Sequence, residues 1–512
     1  MMRFSVMSKL LTLALAAGMA GGVGWAERVP APELHFHRKH LQATLGAAYR
    51  AAVRNLMVVN TVPVTGGKDG PYDQTGLLKA PMEFVRAGGG YDQPWTRDAS
   101  VNSWNAASLL EPEVARNTLW AVVKRGPDGR LVVQQDKEWW DQIVWVTAAW
   151  HFYEVSGDRE FLRRAYETAV DTLRVDREKH YNARYGLFEG PAFLNDGIAG
   201  YPAPPADKTE SRGSFVLDYP GADRLMALST NCLYVAAYEN AARMAKALGR
   251  PAAEATGLRD RGERLAARVR ARFRVSKAGR FGYLIHGSGP DAGKLADFQE
   301  GSGEAFAVLF GVATPEEARA VVRHTTWMKF GVPDVWPNFA RYSLERPGRH
   351  NAIVWPMVEG FWGDAAARAG DVDGFARAMS GVAGLALGSG GDFYEIYNGT
   401  TGRPDGGWQV GTHWKSQPDQ TWSASAYLRM VFTDLFGMRF RPGGIAFQPT
   451  LPRGWGPVQM DGVRYRGAVL TVELRGSGDR VKRFRLDGKT MPKAWFPAGL
   501  TGRHTVEIVL GR

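Results

Sequence analysis

The chain has 512 residues, of which 45% are hydrophobic, 23% charged and 11% aromatic, which excludes a disordered chain, a collagen-like repeat and a small disulfide scaffold. Its 64 Lys and Arg against 52 Asp and Glu leave a balance of +12, but the basic residues are scattered among acids, so nucleic acid is not an expected partner. A single cysteine, Cys232, rules out an intrachain disulfide and a Cys-based zinc site.

In chain order, Arg3 and Lys9 precede an apolar run, Leu10 to Val23, which ends in Gly24-Trp25-Ala26 before Glu27. A basic start, a short apolar centre and a small final residue describe a signal peptide over 1–26. The expectation is an exported protein, periplasmic or extracellular, with no stable membrane span after cleavage. From about 38 to 435, apolar residues recur at three- and four-residue spacing. The spacing predicts helices near 39–58, 100–110, 113–124, 138–156, 159–176, 222–248, 252–273, 303–311, 315–325, 352–369, 372–387 and 420–435. Thr314-Pro315-Glu316-Glu317 reads as a capping box with proline in the first turn, and Gly157-Asp158 separates two amphipathic segments.

Three interruptions, 60–98, 177–220 and 388–418, are long and rich in Gly, Pro and aromatics, the character of functional loops rather than linkers. After about residue 440, Val463 to Leu474 and His504 to Leu510 alternate apolar with polar residues, with turns at Gly476-Ser477-Gly478-Asp479 and Asp487-Gly488. The fold class expected is mainly α: an (α/α)6 barrel, or toroid, over 27–438, followed by a small β-rich, sandwich-like C-terminal domain over 439–512. No fixed-period repeat supports a solenoid instead.

The loops place aromatics beside carboxylates in four runs: Tyr91 to Asp98, Gln134 to Gln142, Phe188 to Gly197 and Gly391 to Gly399. Sugar rings stack their apolar faces on Trp and Tyr and present hydroxyls that need Asp, Asn, Gln and Arg. Cleaving a glycosidic bond needs two carboxyl groups, one protonated and one ionised. No metal ligand set and no cofactor motif is expected. His35, His37 and His40 follow the signal as solvated residues, no Gly-x-Ser-x-Gly follows a strand, and the glycines at 87–90 lack the strand, Lys and Ser/Thr of a phosphate loop.

On five motifs the chain resembles the six-hairpin glycosidase superfamily, which includes trehalases, α-L-rhamnosidases and the family 63 glycosidases. They are Gln93-Pro94-Trp95-Thr96-Arg97-Asp98, Leu228-Ser229-Thr230-Asn231, Gln299-Glu300-Gly301-Ser302-Gly303-Glu304, His350-Asn351 with Val354-Trp355-Pro356, and Glu395-Ile396-Tyr397 followed by Gln420-Thr421-Trp422-Ser423-Ala424. Phe447-Gln448-Pro449-Thr450-Leu451-Pro452 looks like the join to the C-terminal β-domain of such enzymes. The resemblance implies a glycoside hydrolase in an (α/α)6 barrel, cleaving oligo- or polysaccharides with inversion. It makes Glu395 the base. The acid stays open between Asp196, Glu189 and Glu300, with Phe193, Leu194 and Ile198 expected to raise the pKa of Asp196.

Substrate contacts are expected from Trp95, Arg97, Asp98, Trp139, Asn231, Glu300, His350, Trp355, Tyr397 and Trp422. Arg97 and Asp98 also suit a structural pair at a helix start, and Asn231 suits interhelical bonding. Two alternatives to hydrolysis are a polysaccharide lyase, using Tyr394, His350, Asn231 and Arg97, and a glycan-binding protein without catalysis.

Overall fold

The computed structural model describes residues 30–64, 72–134, 137–202, 213–409 and 411–511; the expected signal peptide, 1–26, lies outside them. Among the described residues twelve α-helices run seven residues or more. They are α1 Leu45–Arg54, α2 Thr96–Asn102, α3 Pro112–Ala121, α4 Val144–Ser156, α5 Arg159–His180 and α6 Leu228–Ala247. The rest are α7 Ala252–Phe273, α8 Gly301–Leu309, α9 Pro315–His324, α10 Pro356–Ala369, α11 Val372–Gly388 and α12 Thr421–Arg429.

The even-numbered helices form a ring: α2 packs on α4, α4 on α6, α6 on α8, α8 on α10, α10 on α12, and α12 back on α2. The odd-numbered helices pack outside their neighbours, as α5 does on α4 and α6 and α11 on α10. Composition explains the two layers. The outer α7 buries only Leu258, Gly262, Leu265, Val269 and Phe273, one stripe at three- and four-residue spacing on an otherwise Arg- and Glu-rich helix. The inner α12 buries every residue, and α10 all but Arg368 and Ala369, so both are apolar or small on most faces, and their buried charges Glu359, Asp364 and Arg429 are met by partners. No helix among the described residues is long and apolar enough to cross a membrane.

Helix ends follow local chemistry. Thr314 accepts from the Glu317 amide while Glu317 reaches back to the Thr314 amide, the reciprocal cap its sequence predicts. Gly157, at φ 74°, ends α4, and Asp158 caps α5 by accepting from the Phe161 amide. Three helices continue into π-helical turns, Asn55–Val59, Ser103–Ala107 and Met430–Leu435, which accounts for predicted segments longer than the α-helices themselves. The segment predicted over 222–248 starts its α-helix only at Leu228, because Met226–Ala227 pairs as a strand with Leu284–Ile285.

The C-terminal strands form two sheets. The larger has the order β1 Glu33–Phe36, β3 Val458–Tyr465, β4 Ala468–Arg475, β7 Gly502–Gly511, β5 Arg480–Leu486, with Lys489–Thr490 at the far edge. The smaller joins Met438–Arg441, β2 Gly444–Phe447 and β6 Trp495–Pro497. Aromatic contacts join the two, Phe447 to Phe484 and Tyr465 to both Phe440 and Phe496. The edge strand β1 precedes all the helices in sequence, yet Leu34 pairs with Met460 and Phe36 with Val458.

Candidate active site

Three irregular segments and two helix starts meet around a cavity of about 270 Å³. Its wall includes Tyr91, Trp95, Arg97 and Asp98 from the turn into α2, Glu138 and Gln142 ahead of α4, and Leu194, Asp196 and Gly197 from the loop after α5. Arg349, Trp355, Glu395, Gln409 and Trp414 add the other side, with Gln420 and Trp422 at the start of α12. Asp196 and Glu395, about two hundred residues apart in sequence, therefore face one hollow.

Local sequence holds each carboxylate in place. Ser229, Thr230 and Asn231 sit at the start of α6 and clasp the loop that carries Asp196: the Ser229 hydroxyl accepts from the Phe193 amide at 2.8 Å, and the Thr230 hydroxyl donates to the Pro191 carbonyl at 2.6 Å. Asn231 accepts from the Phe188 amide at 2.8 Å and donates to its carbonyl at 3.0 Å. On the other side the Glu395 amide donates to the Gln417 carbonyl and the Ile396 amide to the Ser416 hydroxyl. The glycines at 88–90 serve close approach: a Cβ at Gly88 would come within 2.6 Å of the Gln420 side chain, and one at Gly90 within 2.4 Å of Gln417. Trp95 has φ 29°, a strained value for a bulky residue, and is 39% exposed, as is Trp414. Both stand where the cavity meets solvent.

The electrostatics are crowded. Arg97 reaches Asp141 at 2.7 Å, Glu138 at 3.3 Å and Asp196 at 3.4 Å. Arg349 binds Glu395 Oε1 at 2.8 Å, and the Tyr91 hydroxyl donates to the same oxygen at 3.4 Å. Glu395 Oε2 is buried with no hydrogen-bond partner. Burial pushes Asp98 up to about 7 against the pull of Arg97, and Asp141 up to about 6. Asp196 departs from expectation. Burial alone would raise it, but the His350 ring and the charges of Arg97 and Arg349 outweigh burial and hold it well below the usual carboxylate range. The apolar neighbours Phe193, Leu194 and Ile198 do not set its acidity; the cations do.

Of the residues expected to touch substrate, Trp95, Arg97, Asp98, Trp355 and Trp422 line the cavity. Trp139, Asn231, Glu300, His350 and Tyr397 do not. Trp139 lies flat on His180 and donates its indole N–H to the Glu189 carbonyl. Asn231 is the loop clasp described above. Glu300 is buried, accepting from the Ser229 amide, and burial raises it to about 8. His350 is buried behind Asp196, stacked on Trp355 at 4.9 Å. The Tyr397 hydroxyl accepts from the Tyr394 amide and donates to the Asp392 carbonyl. Glu189 is also outside the wall, bound by Arg224 at 2.9 Å and Asn182 at 2.6 Å.

Sequence reasoning did not single out Arg349, Gln409 or Trp414, whereas Gln420 opens the motif Gln420-Thr421-Trp422-Ser423-Ala424 and Gln142 closes one of the four aromatic–carboxylate runs. Arg349 adjoins the motif that begins at His350. Gln409 and Trp414 lie on a hairpin, Gly407–Gln409 with Thr412–Trp414, whose only signal was its aromatics. Gln409 links the two sides of the site by accepting from the Ala199 amide at 3.2 Å. Among the described residues no group of three or more His, Cys, Asp or Glu is arranged to hold a metal.

Four carboxyl groups, Asp98, Glu138, Asp196 and Glu395, share one sugar-sized cavity rimmed by tryptophans, and a pair of carboxyls is the equipment of glycoside hydrolysis. Residues 91–423 match the family described as mannosylglycerate hydrolase MGH1-like glycoside hydrolase domain. That is well over half of the chain, and the protein belongs to this family of glycoside hydrolases. Residues 438–492 match the C-terminal domain of glycosyl hydrolase family 65. Comparison with curated protein sequences finds no match. Among solved structures, a sialidase aligns with TM-score 0.63 and 14% identity over 90% of this chain, which spans only 40% of the sialidase. A GH78 family rhamnosidase of Bacillus sp. GL1 aligns at 0.56 and 15%, over 95% of this chain and 44% of that one. A GH63 mannosylglycerate hydrolase from Thermus thermophilus, in complex with Tris and D-glycerate, aligns at 0.52 and 16%, over 75% of this chain and 100% of the other. At these identities the likeness is one of fold.

Proposed function

We propose that the protein is an inverting glycosidase that releases a single terminal sugar from a small acidic glycoside, of which mannosylglycerate is the representative. The observation that carries this reading is Asp196 and Glu395 lining one cavity with Arg97 and Arg349. At about 270 Å³ the cavity is smaller than the roughly 300–1,000 Å³ usual for drug-sized ligands, which suits a sugar with a small aglycone rather than a polymer. Arg97 and Arg349, though paired with wall carboxylates, each keep a buried Nε without a partner, a donor for an aglycone carboxylate. The family description supports the same class, as does the mannosylglycerate hydrolase with D-glycerate among the structural neighbours.

In this mechanism Asp196 protonates the leaving oxygen as the bond to the anomeric carbon breaks. A water attacks the opposite face and gives its proton to Glu395 Oε2. Inversion requires the two carboxyl groups to stand roughly 6.5–9.5 Å apart, leaving room for that water. Trp355 and Trp422 supply apolar faces for the ring, and Asp98, Gln142 and Gln420 supply polar edges for its hydroxyls. We further propose that the helix ring is the inner layer of an (α/α)6 barrel, and that the 1–26 segment directs export.

Glu395→Gln tests the assignment. With mannosylglycerate, turnover is expected to fall by on the order of 10³-fold or more, because the variant has no base for the water, while the thermal midpoint stays near that of the wild type. Retained turnover would remove Glu395 from the chemistry.

A further inference from the structure

Asp196 presents a difficulty as an acid. It needs a proton when substrate arrives, yet His350, Arg97 and Arg349 together outweigh burial and favour its ionised form. The resolution lies behind it. His350 is fully buried and points Nε2 at Asp196 Oδ1, 3.5 Å away, and Nδ1 at Asp334 Oδ2, 3.7 Å away. Asp334 is itself fully buried, with its amide fixed to the Ile353 carbonyl. The imidazole plane is set by stacking on Trp355, 4.9 Å between centroids and 14° between planes. Gly200 closes the other side, where a Cβ would come within 3.2 Å of the His350 Cβ. The ring has no access to the cavity and nowhere to turn.

We propose that Asp334 and His350 position and charge the acid: His350 stores the proton that Asp196 delivers, and Asp334 fixes the ring so that Nε2 is the nitrogen that gives it up. The proposal rests on the hydrolase reading above and concerns the same site. At rest the row is aligned but open: neither ring nitrogen and neither Asp334 oxygen has a hydrogen-bond partner, and both contacts must shorten for Asp334 to hold Nδ1–H and for Nε2 to give its proton to an ionised Asp196. When substrate fills the cavity and excludes water, the Nε2–H bond breaks and an O–H bond forms on Asp196, leaving His350 neutral. Asp196 then passes that proton to the glycosidic oxygen as the C–O bond breaks, and the water proton goes to Glu395. After product leaves, Glu395 releases its proton to solvent and His350 is reprotonated through Asp196, closing the cycle. A buried carboxylate holding the far nitrogen of a histidine is a general device for fixing its tautomer.

Other groups near the row bear on its charge. Asp334 is also influenced by burial and by Asn195, Glu300 lies close enough for the two carboxyls to oppose each other's ionisation, and Tyr201 and Tyr283 sense the same cluster. Arg349, adjacent in sequence, faces Glu395 rather than Asp334. Among the described residues, His350 is the one basic group in contact with Asp334.

Two substrates separate this role from a structural one. Mannosylglycerate has a poor leaving group that needs a proton; α-mannosyl fluoride leaves with little help. His350→Gln is expected to lower kcat on mannosylglycerate by about 10²-fold or more, the usual worth of acid catalysis, and to change kcat on the fluoride by less than about threefold. Asp334→Asn, which preserves shape, is expected to shift the alkaline limb of the kcat/KM profile for mannosylglycerate to lower pH without altering the fluoride profile. Equal losses on both substrates in both variants, or an unmoved alkaline limb in Asp334→Asn, would overturn the proposal. A wild type inert to both compounds, or a Glu395→Gln variant as active as wild type, would instead bring down the underlying hydrolase reading, and the proton store with it.

Discussion

The protein contains two clusters of carboxylates and arginines, built from the same residue types and put to different uses. One lines the cavity. The other lies where the ring helices α10 and α12 meet the strand Met438–Arg441. There Asp364 Oδ1 accepts from Arg368 at 2.9 Å and Arg439 at 3.1 Å, its Oδ2 is held by Arg429, and Arg439 also binds Asp434 at 3.2 Å. Arg429 lies over the Trp104 ring at 4.2 Å. Asp364 and Asp434 are fully buried, and neither belongs to the cavity wall. In the cavity, by contrast, Glu395 has one oxygen engaged and one left over, and Asp196 is 27% exposed on its side chain. A cluster that satisfies both oxygens of its central carboxylate fastens a fold. One that leaves an oxygen unpaired beside an open space, at a cost in stability, is prepared to meet a ligand.

The largest effect on chemistry is the loss expected for Glu395→Gln, with little change in stability. The largest effect on stability is expected for Asp364→Asn, which strands the guanidinium groups of Arg368, Arg429 and Arg439 and should cost about 3–5 kcal/mol. Chemical denaturation checks this, and the fraction that remains folded should turn over substrate at the wild-type rate. If Asp364→Asn left stability intact while abolishing turnover, the roles given to the two clusters would be reversed.

A smaller effect comes from buried carboxyls outside both clusters. Burial raises Glu300, Glu304 and Glu359 to about 8. Because the folded protein keeps protons that the unfolded chain releases, their contribution is complete below about pH 4.5 and is lost as pH rises through about 8. Asp196 and Asp364, held low, act in the opposite direction but only below about pH 3.8. The thermal midpoint should therefore fall by several degrees between pH 5.5 and 8.5. A midpoint that rises over that interval would show these carboxyls to be ionised in the fold.

Much of this was legible beforehand because helices advertise their environment. The stripe Leu258, Gly262, Leu265, Val269, Phe273 marks an outer helix, and the capping box at Thr314 marks a start within a residue. Glu395 could be found because its loop carries a recognisable run into an aromatic-Ser-Ala helix. Other features had no local signature. The pairing of Glu33–Phe36 with Val458–Asp461 joins a strand ahead of all the helices to one after them, and no four-residue alternation specifies so distant a partner. Glu189 and Asp196 share one loop and one chemistry; only the path of that loop, which puts Asp196 on the cavity wall and leaves Glu189 off it, tells them apart. Asn231 reads from the sequence as a side chain in need of a partner, but whether that partner is sugar, another helix or loop backbone depends on where the Phe188–Phe193 loop passes. Asp334, the residue on which the proton store depends, lies in an unremarkable run and emerges only once His350 is seen between two acids.

The most direct test of the central claim is the configuration of the sugar at the moment of release. Proton NMR of the wild-type enzyme acting on α-mannosyl fluoride, recorded before mutarotation sets in, should show β-mannose first if a water activated by Glu395 attacks opposite to the bond Asp196 protonates. First appearance of α-mannose would contradict that arrangement, requiring a covalent sugar–enzyme intermediate and a different part for Glu395.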